Sequence, residues 1–434
     1  MPRTDASRLR APGRARRLLP WWSVAAISAL VGLSALMPVS PIRDAATLGN
    51  VAEASLHRPE GYVLFAPFSN LLDTLTLLSL RQHGALVATL AIAFALWWWR
   101  RGHRIPATVT PARRVVRHAA RIGLAVVSLV VAYAVAVLLP RPMARLEVGT
   151  DILAIDFHAH TRHSHDGRWN WTAEDVRTWH RKGGYDVAYV TDHRTYDGAR
   201  EGWANNPAFA GQGTLLLPGI EVVWKGEHVN VLNADRVYSG LFTATLRDID
   251  EDALRMASMV PGKEPVLIET LPGDPARMFP AAGQGTAGVR AIEIIDGAPK
   301  GLGQTRRERP RLVKLADSLG LAMVSGSNSH GWGHAAQGWT LMRFPQWRSA
   351  TPAQLAEAID ATIRAAGIRA TRVVERWIPD TDEGIALPFT VPVVLWGMLR
   401  TLSGPERVMW VVWTLIAAAL WRLRQRRHAG IVPG

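Results

Sequence analysis

The stretch ILAIDFHAHTRHSHDG, residues 152–167, joins an apolar run to a polar cluster holding four histidines and two aspartates. A short apolar run bounded by a Gly turn reads as a buried strand. His158 and His160 are two residues apart, so an extended chain carries both imidazoles on one side. The cluster is either a polar turn or the beginning of a divalent metal site, because two neutral imidazoles converging at a strand end suit such an ion. The rest of the chain bears on that choice. "YDVAYV" ends in Asp192 and His193, and "GTLLLPGI" ends in Glu221, with His228 seven residues on. "GLAMVSGS" leads into Asn328, His330 and His334. Ligand-type residues thus recur at the ends of four apolar runs, where barrel enzymes carry their sites.

Helical stretches such as "TAEDVRTWHRKGG" and "RPRLVKLADSLG" separate several of these runs, as do further runs "HVNVLN", "EPVLIET" and "VRAIEIID". The alternation predicts a parallel α/β architecture. In "TPAQLAEAIDATIRAAG" Thr351 caps, Pro352 suits the first turn and Gln354 completes a capping box. His180 falls in a helical pattern and reads as a surface residue. The cluster Arg306, Arg307, Arg309 and Arg311 reads as a solvated face, with substrate contact the sharper alternative.

The chain has 434 residues, a formal net charge of +14 and no cysteine. Any metal must therefore be held by nitrogen and oxygen. The positive charge gathers in residues 1–20, 100–121 and 422–434, beside apolar segments, so it reads as membrane topology before it reads as a nucleic-acid footprint. Apolar segments near 21–39, 84–99 and 122–140 predict about three transmembrane helices in an N-terminal region, residues 1–147. The rivals are a cleaved signal peptide for the first segment and buried core helices for them all. Gly61 to Leu80 carries Asn70 and Asp73 and suits an interfacial position. Leu387 to Leu399 and Val408 to Trp421 offer one further span or a hairpin in the C-terminal region, residues 381–434. With the arginine-rich segments in the cytoplasm, the domain between, residues 148–380, faces outward from an integral membrane protein of a bacterial inner membrane. A full span at 61–80 would invert this and place seven arginines outside.

Together "DFHAHTRHSHDG", "AYVTDHRTYDG", "LPGIEVVWKGEHVNVLN" and "VSGSNSHG" resemble the successive motifs of the PHP family, the polymerase and histidinol phosphatase domain. The resemblance covers residues 151–345, about half the chain. It implies a distorted (β/α)7 barrel, here flanked by transmembrane α-helices, that holds two or three divalent cations such as manganese, zinc, iron or magnesium. It implies phosphate ester hydrolysis by water activated on the cations, with no protein nucleophile. The family pattern makes His158 and His160 ligands of a first metal, Glu221 a bridge to a second and His228 a ligand of the second, while Asp166, His193 and His330 hold a third.

Two departures stand out. Asn328 occupies the place of an Asp, and Leu271 the place of a His before Pro272. Glu269, His334 and, for Asp166, His165 are the candidate substitutes. Arg194 is placed to donate to a substrate phosphate, or to stand solvated at the rim. Trp169, Trp171, Trp224 and Trp332 fall near the motif loops, as pocket walls or as packing. The expected function is a membrane-anchored metal-dependent phosphoesterase acting on a small phosphorylated substrate. The alternatives are a PHP-like binding module without turnover and a hydrolase of another bond. Nucleic acid remains a conceivable substrate that the charge distribution does not favour.

Overall fold

A computed structural model describes residues 14–102, 110–193, 195–224, 227–233, 266–270 and 289–429. The chain opens with α1 (Arg14–Ala35), β1 (Ile42–Asp44), β2 (Ala54–His57), α2 (Glu60–Leu64), α3 (Ala66–Thr76), α4 (Leu80–Gly102) and α5 (Pro111–Leu138). Two described stretches are helical, long and apolar enough to cross a membrane, Leu80–Arg100 and Val115–Leu138. The first expected span instead has a shorter apolar helix, Trp21–Ala35. Residues 61–80 fold into short helices. The 11 residues of α3 extend about 16 Å, half a hydrocarbon core. Its Asn70 and Asp73 are buried.

The remaining elements are β3 (Arg145–Val148), β4 (Ile152–Ala159), α6 (Ala173–Gly183), β5 (Val187–Val190), α7 (Asp197–Ala204), β6 (Leu215–Trp224), β7 (Glu227–Leu232), β8 (Val266–Thr270) and β9 (Val289–Asp296). They continue with α8 (Pro299–Leu319), β10 (Ala322–Gly326), β11 (Gly338–Arg343), α9 (Pro352–Ala366), β12 (Arg372–Arg376), α10 (Thr390–Arg400) and α11 (Gly404–Ala429). Ten strands form one sheet in the order β1-β12-β11-β4-β5-β6-β7-β8-β9-β10. The sheet curls into a half-barrel, and the chain beyond β10 returns to β4. Asn328 N donates to His158 O at 2.8 Å, and His160 N donates to Ser329 O at 3.0 Å.

The sheet is mixed rather than parallel throughout. β4, β5 and β6 run parallel, as do β8, β9 and β10, but β7 is antiparallel to both neighbours. Only Lys225 and Gly226 separate β6 from β7. Two residues can close a hairpin and cannot make a crossover.

Alternation along the strands divides the core. Leu153, Ile155, Val187, Tyr189, Leu215 and Leu217 face the inside of the curl, where α9 brings Leu355, Ile359 and Ile363. Ile152, Ala154, Ala188 and Leu216 face outward onto Val176 and Trp179 of α6. The expected capping box of Thr351 with Gln354 forms, and Thr172 with Asp175 makes another. The segment between β11 and β12 is therefore helical where its caps say it should be.

Two surface expectations are corrected. His180 is fully buried: its Nε2 lies 2.6 Å from Asp156 Oδ2 and its Nδ1 2.8 Å from Val176 O. The amphipathic face of α6 turns it inward, and the Asp156 carboxylate makes that burial tolerable. Arg306 and Arg309 are buried as well. Arg309 and Arg43 meet Glu375 at 2.7 and 2.6 Å. A second buried cluster joins the apolar helices to the sheet, with Arg141 and Arg376 on Asp73 at 3.1 and 2.8 Å.

Candidate metal centre

A β-bulge in β4 aims the first candidate ligands. Between the pairs Asp156–Ala188 and Ala159–Val190, β4 passes through two residues and β5 through one. Such a bulge re-aims a side chain. Phe157 stacks on Tyr189 with centroids 5.3 Å apart, while the next residue, His158, reaches Glu221 and Glu293. Gly326 of β10 passes so close that a Cβ there would overlap Glu293 Oε1 and the His158 Cβ.

Glu221 is the hub. Its Oε2 lies 2.9 Å from His158 Nε2, 3.2 Å from His160 Nε2 and 3.5 Å from His193 Nε2. Its Oε1 lies 2.6 Å from His228 Nδ1, carried on the other arm of the β6–β7 hairpin. Asp166 forms a second focus, with Oδ2 3.0 Å from His330 Nε2 and 3.4 Å from His193 Nε2. Four overlapping groups of donors result: His160, Asp166, His193 and His330; His158, His160 and Glu221; His193, Glu221 and His228; His158, Glu293 and Asp296. In each, the donor atoms lie within 4.8 Å of one another. Donors about 2.1 Å from one tetrahedral ion stand roughly 3.4 Å apart, so this spacing fits N/O-ligated divalent cations. Among the described residues Asn328 Oδ1 and His160 Nδ1 are buried without a hydrogen-bond partner, which is the condition of groups that need a further partner.

The electrostatics express the same crowding. Burial acts to lower the His158 pKa, but the carboxylates of Glu221 and Glu293 outweigh it and hold it well above the ordinary range. Burial and the charge of His330 push His160 down to about 3. Burial acts to raise Glu221, yet the charge and hydrogen bond of His158 bring it well below the usual carboxylate range. Glu293 is pushed up to about 8 by burial.

Glu293 and Asp296, both on β9, were not among the candidates drawn from the sequence. The signal was present, since "VRAIEIID" also ends in an acid, as the ligand-bearing strands do. Asp296 bears on the Asn328 departure. Asn328 Nδ2 donates to the two Asp296 oxygens at 3.2 and 3.1 Å, so a negative charge absent at position 328 stands on the adjacent strand. Asn328 also takes the left-handed conformation, φ 44°, one of the rarer backbone states that cluster at functional sites.

The proposed substitutes lie outside these groups. Glu269 is buried on β8, its backbone opposite Val229. His334 sits near Arg141, and burial followed by that guanidinium pushes its pKa down to about 4. His165 is exposed and packs its ring against His193, centroids 4.8 Å apart. Trp171 is buried, while Trp169 and Trp332 are exposed. Arg194, Leu271 and Pro272 fall outside the described residues, as does the side chain of Trp224.

No family model and no curated protein matches the chain. Among solved structures it is similar to PsfC from Pseudomonas syringae, with 17% identity, a TM-score of 0.37, and 58% of this chain and 98% of that one covered. It is also similar to a two-domain protein from Bacteroides vulgatus containing a predicted PHP-like metal-dependent phosphoesterase, with 16% identity, a TM-score of 0.32 and 51% and 64% covered. An amidohydrolase from Chromobacterium violaceum follows with 17% identity, a TM-score of 0.26 and 47% and 96% covered.

Proposed function

We propose that the chain is a PHP-type metal-dependent phosphoesterase anchored in a membrane, with residues 148–380 as its hydrolase domain. The observation that carries this reading is the Glu221 carboxylate, with the Nε2 atoms of His158 and His160 on one oxygen and His228 Nδ1 on the other. His158, His160, Glu221 and His228 would hold two divalent cations between them, with Glu293, Asp296 and Asn328 supporting the first. Asp166, His193 and His330 would hold a third. When bound, such ions supply Lewis acidity and make water a nucleophile near neutral pH.

The chain's own contribution is orientation. Glu293 behind His158 and the Asn328 carbonyl oxygen behind His330 Nδ1, 2.9 Å away, fix which ring nitrogen faces the site. Asp192 accepts from Thr161 N and Thr161 Oγ1, both at 2.6 Å, and pins the loop that carries Asp166.

Membrane anchoring rests on α4 and α5. They touch at both ends, where His83 Nδ1 lies 2.9 Å from Tyr133 Oη and the Trp98 and His118 rings stack at 4.3 Å. Leu124, Val127 and Val130 are exposed along α5, an apolar surface of the kind that marks a contact with a membrane or a partner. The arginines of residues 100–121 lie between and beside the two helices, and the positive-inside bias supports a cytoplasmic position for that end and an extracytoplasmic one for the hydrolase domain.

The test is the metal content of the full chain purified in detergent, with hydrolysis of an aryl phosphate ester in added manganese or zinc, beside the double variant His158→Ala, His160→Ala. Two or more tightly held ions, and turnover that the variant loses, are expected. One ion or none without turnover would overturn the reading in favour of a binding module.

A further inference from the structure

A cavity of about 490 Å³ opens directly from the metal-ligand cluster, and its walls differ sharply in chemistry. Asp166, Asn328 and His330 line one side. Leu75 and Leu77, at the end of α3, and Ala136 and Val137 of α5 line the other. His83 and Tyr133, hydrogen-bonded to each other, stand where α4 and α5 meet the domain. The volume is that of a small-molecule site, roughly 300–1,000 Å³. The apolar wall is built by the helices whose outer faces are themselves apolar and exposed. At the rim Trp332 is 54% exposed and nearby Trp169 82% exposed, and indole rings so placed are typical of chains that meet a bilayer surface.

We infer that the substrate is an amphiphile, a phosphate ester carried on a long hydrocarbon chain and drawn from the bilayer, with its headgroup at the ligand cluster and its chain along the α5 wall. The inference rests on the phosphoesterase reading and adds the substrate class. A small water-soluble ester has no use for an apolar chamber beside its phosphate. In the reaction, the oxygen of water joins phosphorus and the P–O bond to the chain-bearing alcohol breaks. One proton of the water goes to the leaving oxygen, and the products are phosphate and the free lipid alcohol. Each buried methylene is worth roughly fourfold in affinity, so a chain held along the cavity confers a large preference over a headgroup alone.

The test uses the full chain in phosphatidylcholine nanodiscs with manganese, and two probes, dioleoyl phosphatidic acid and glycerol 3-phosphate. Two readouts are independent: the ratio of kcat/KM for the two esters, and retention of phosphatidic acid by native mass spectrometry. The expected ratio is at least about 100-fold, on the order of three or four methylenes at that fourfold step, with one lipid retained per chain. Val137→Trp, which fills the cavity, and Trp332→Ala, an exposed change that spares the core, are expected to bring the ratio below tenfold and to reduce retention. Equal rates on both esters with no retained lipid would overturn the inference and leave the hydrolase reading standing. Retention that Val137→Trp abolishes, without turnover of either ester, would support the ligand class and overturn the hydrolase reading. Neither turnover nor retention would overturn both.

Discussion

At the scale of single residues the centre concentrates on Glu221 and its neighbours. Replacing Glu221 by Gln keeps the shape and removes the charge that three imidazoles approach within 3.2 Å. The expected outcome is loss of at least one bound ion and a fall in turnover of more than about 100-fold, beyond the 10- to 100-fold typical of groups that only orient a ligand. Asp296→Asn belongs to that milder range, because the ion loses only a nearby charge and the Asn328 amide one acceptor. Metal content by mass spectrometry and steady-state rates separate the two variants, and equal losses would contradict the ranking. The ligand-type residues at strand ends were legible because each announces itself within one short motif. Asp296 carried the same signal at the end of "VRAIEIID" and was passed over, whereas the approach of Glu293 to His158 depends on β9 lying beside β10, which no local pattern states.

A different residue sets a pH dependence away from the centre. Asp186, at the start of β5, accepts from Ala154 N at 2.9 Å, and burial pushes its pKa up to about 6 from 3.8. The folded chain therefore holds this proton to higher pH than the unfolded chain. The stability associated with it is present below about pH 4 and is lost as pH rises through 6. Asp186→Asn keeps the acceptor and has no charge to bury. Melting temperatures should show the variant more stable at pH 8, by on the order of 2 kcal/mol, with the advantage vanishing near pH 4. An advantage that does not change with pH would mean the carboxyl is not the cause.

At the scale of elements the site depends on a bulge and a glycine in contact. The β4 bulge turns His158 inward, and β10 can pass behind it only because residue 326 has no side chain. Gly326→Ala must displace Glu293 or His158. The expected outcome is a loss of metal affinity together with about 1–3 kcal/mol of stability, the usual cost of overpacking. Gly149→Ala, where the new methyl would make only an ordinary contact with Ile152, is the control. Metal binding unchanged in Gly326→Ala would show that the close approach does not matter. The start of α9 was legible at this scale, because Thr351 sits three residues before the Gln354 that completes its box, whereas the like signal of Thr172 and Asp175 at α6 was passed over. The direction of β7 was equally decided by a two-residue connection, yet a uniform reading of strands and helices as parallel units passed over it. The burial of His180 and Arg309 needed partners distant in sequence, Asp156 and Glu375, and so was not legible.

At the scale of the whole molecule, the buried contacts of Asp73 with Arg141 and Arg376 tie α3 and the end of α5 to β12, so the α/β domain is joined directly to the apolar helices. Removing one partner of a charge pair held out of water is costly, so these contacts hold the joint together. With α4 and α5 taken as spans, as proposed, the positive charge beside them decides on which side of the bilayer the domain lies. Positive charge near the ends of spans favours the cytoplasm, and Arg113, Arg117 and Arg121 stand at or beside the first turns of α5. Because the chain has no cysteine, a single introduced thiol reports its own position without background. Trp169→Cys, on an exposed loop near the centre, should react with a membrane-impermeant maleimide in intact spheroplasts. Ala112→Cys, at the tip, should react only after permeabilisation. The reverse pattern would place the domain in the cytoplasm and would require seven arginines to have crossed the membrane against their usual bias, and labelling of both without permeabilisation would mean that α4 and α5 do not cross at all.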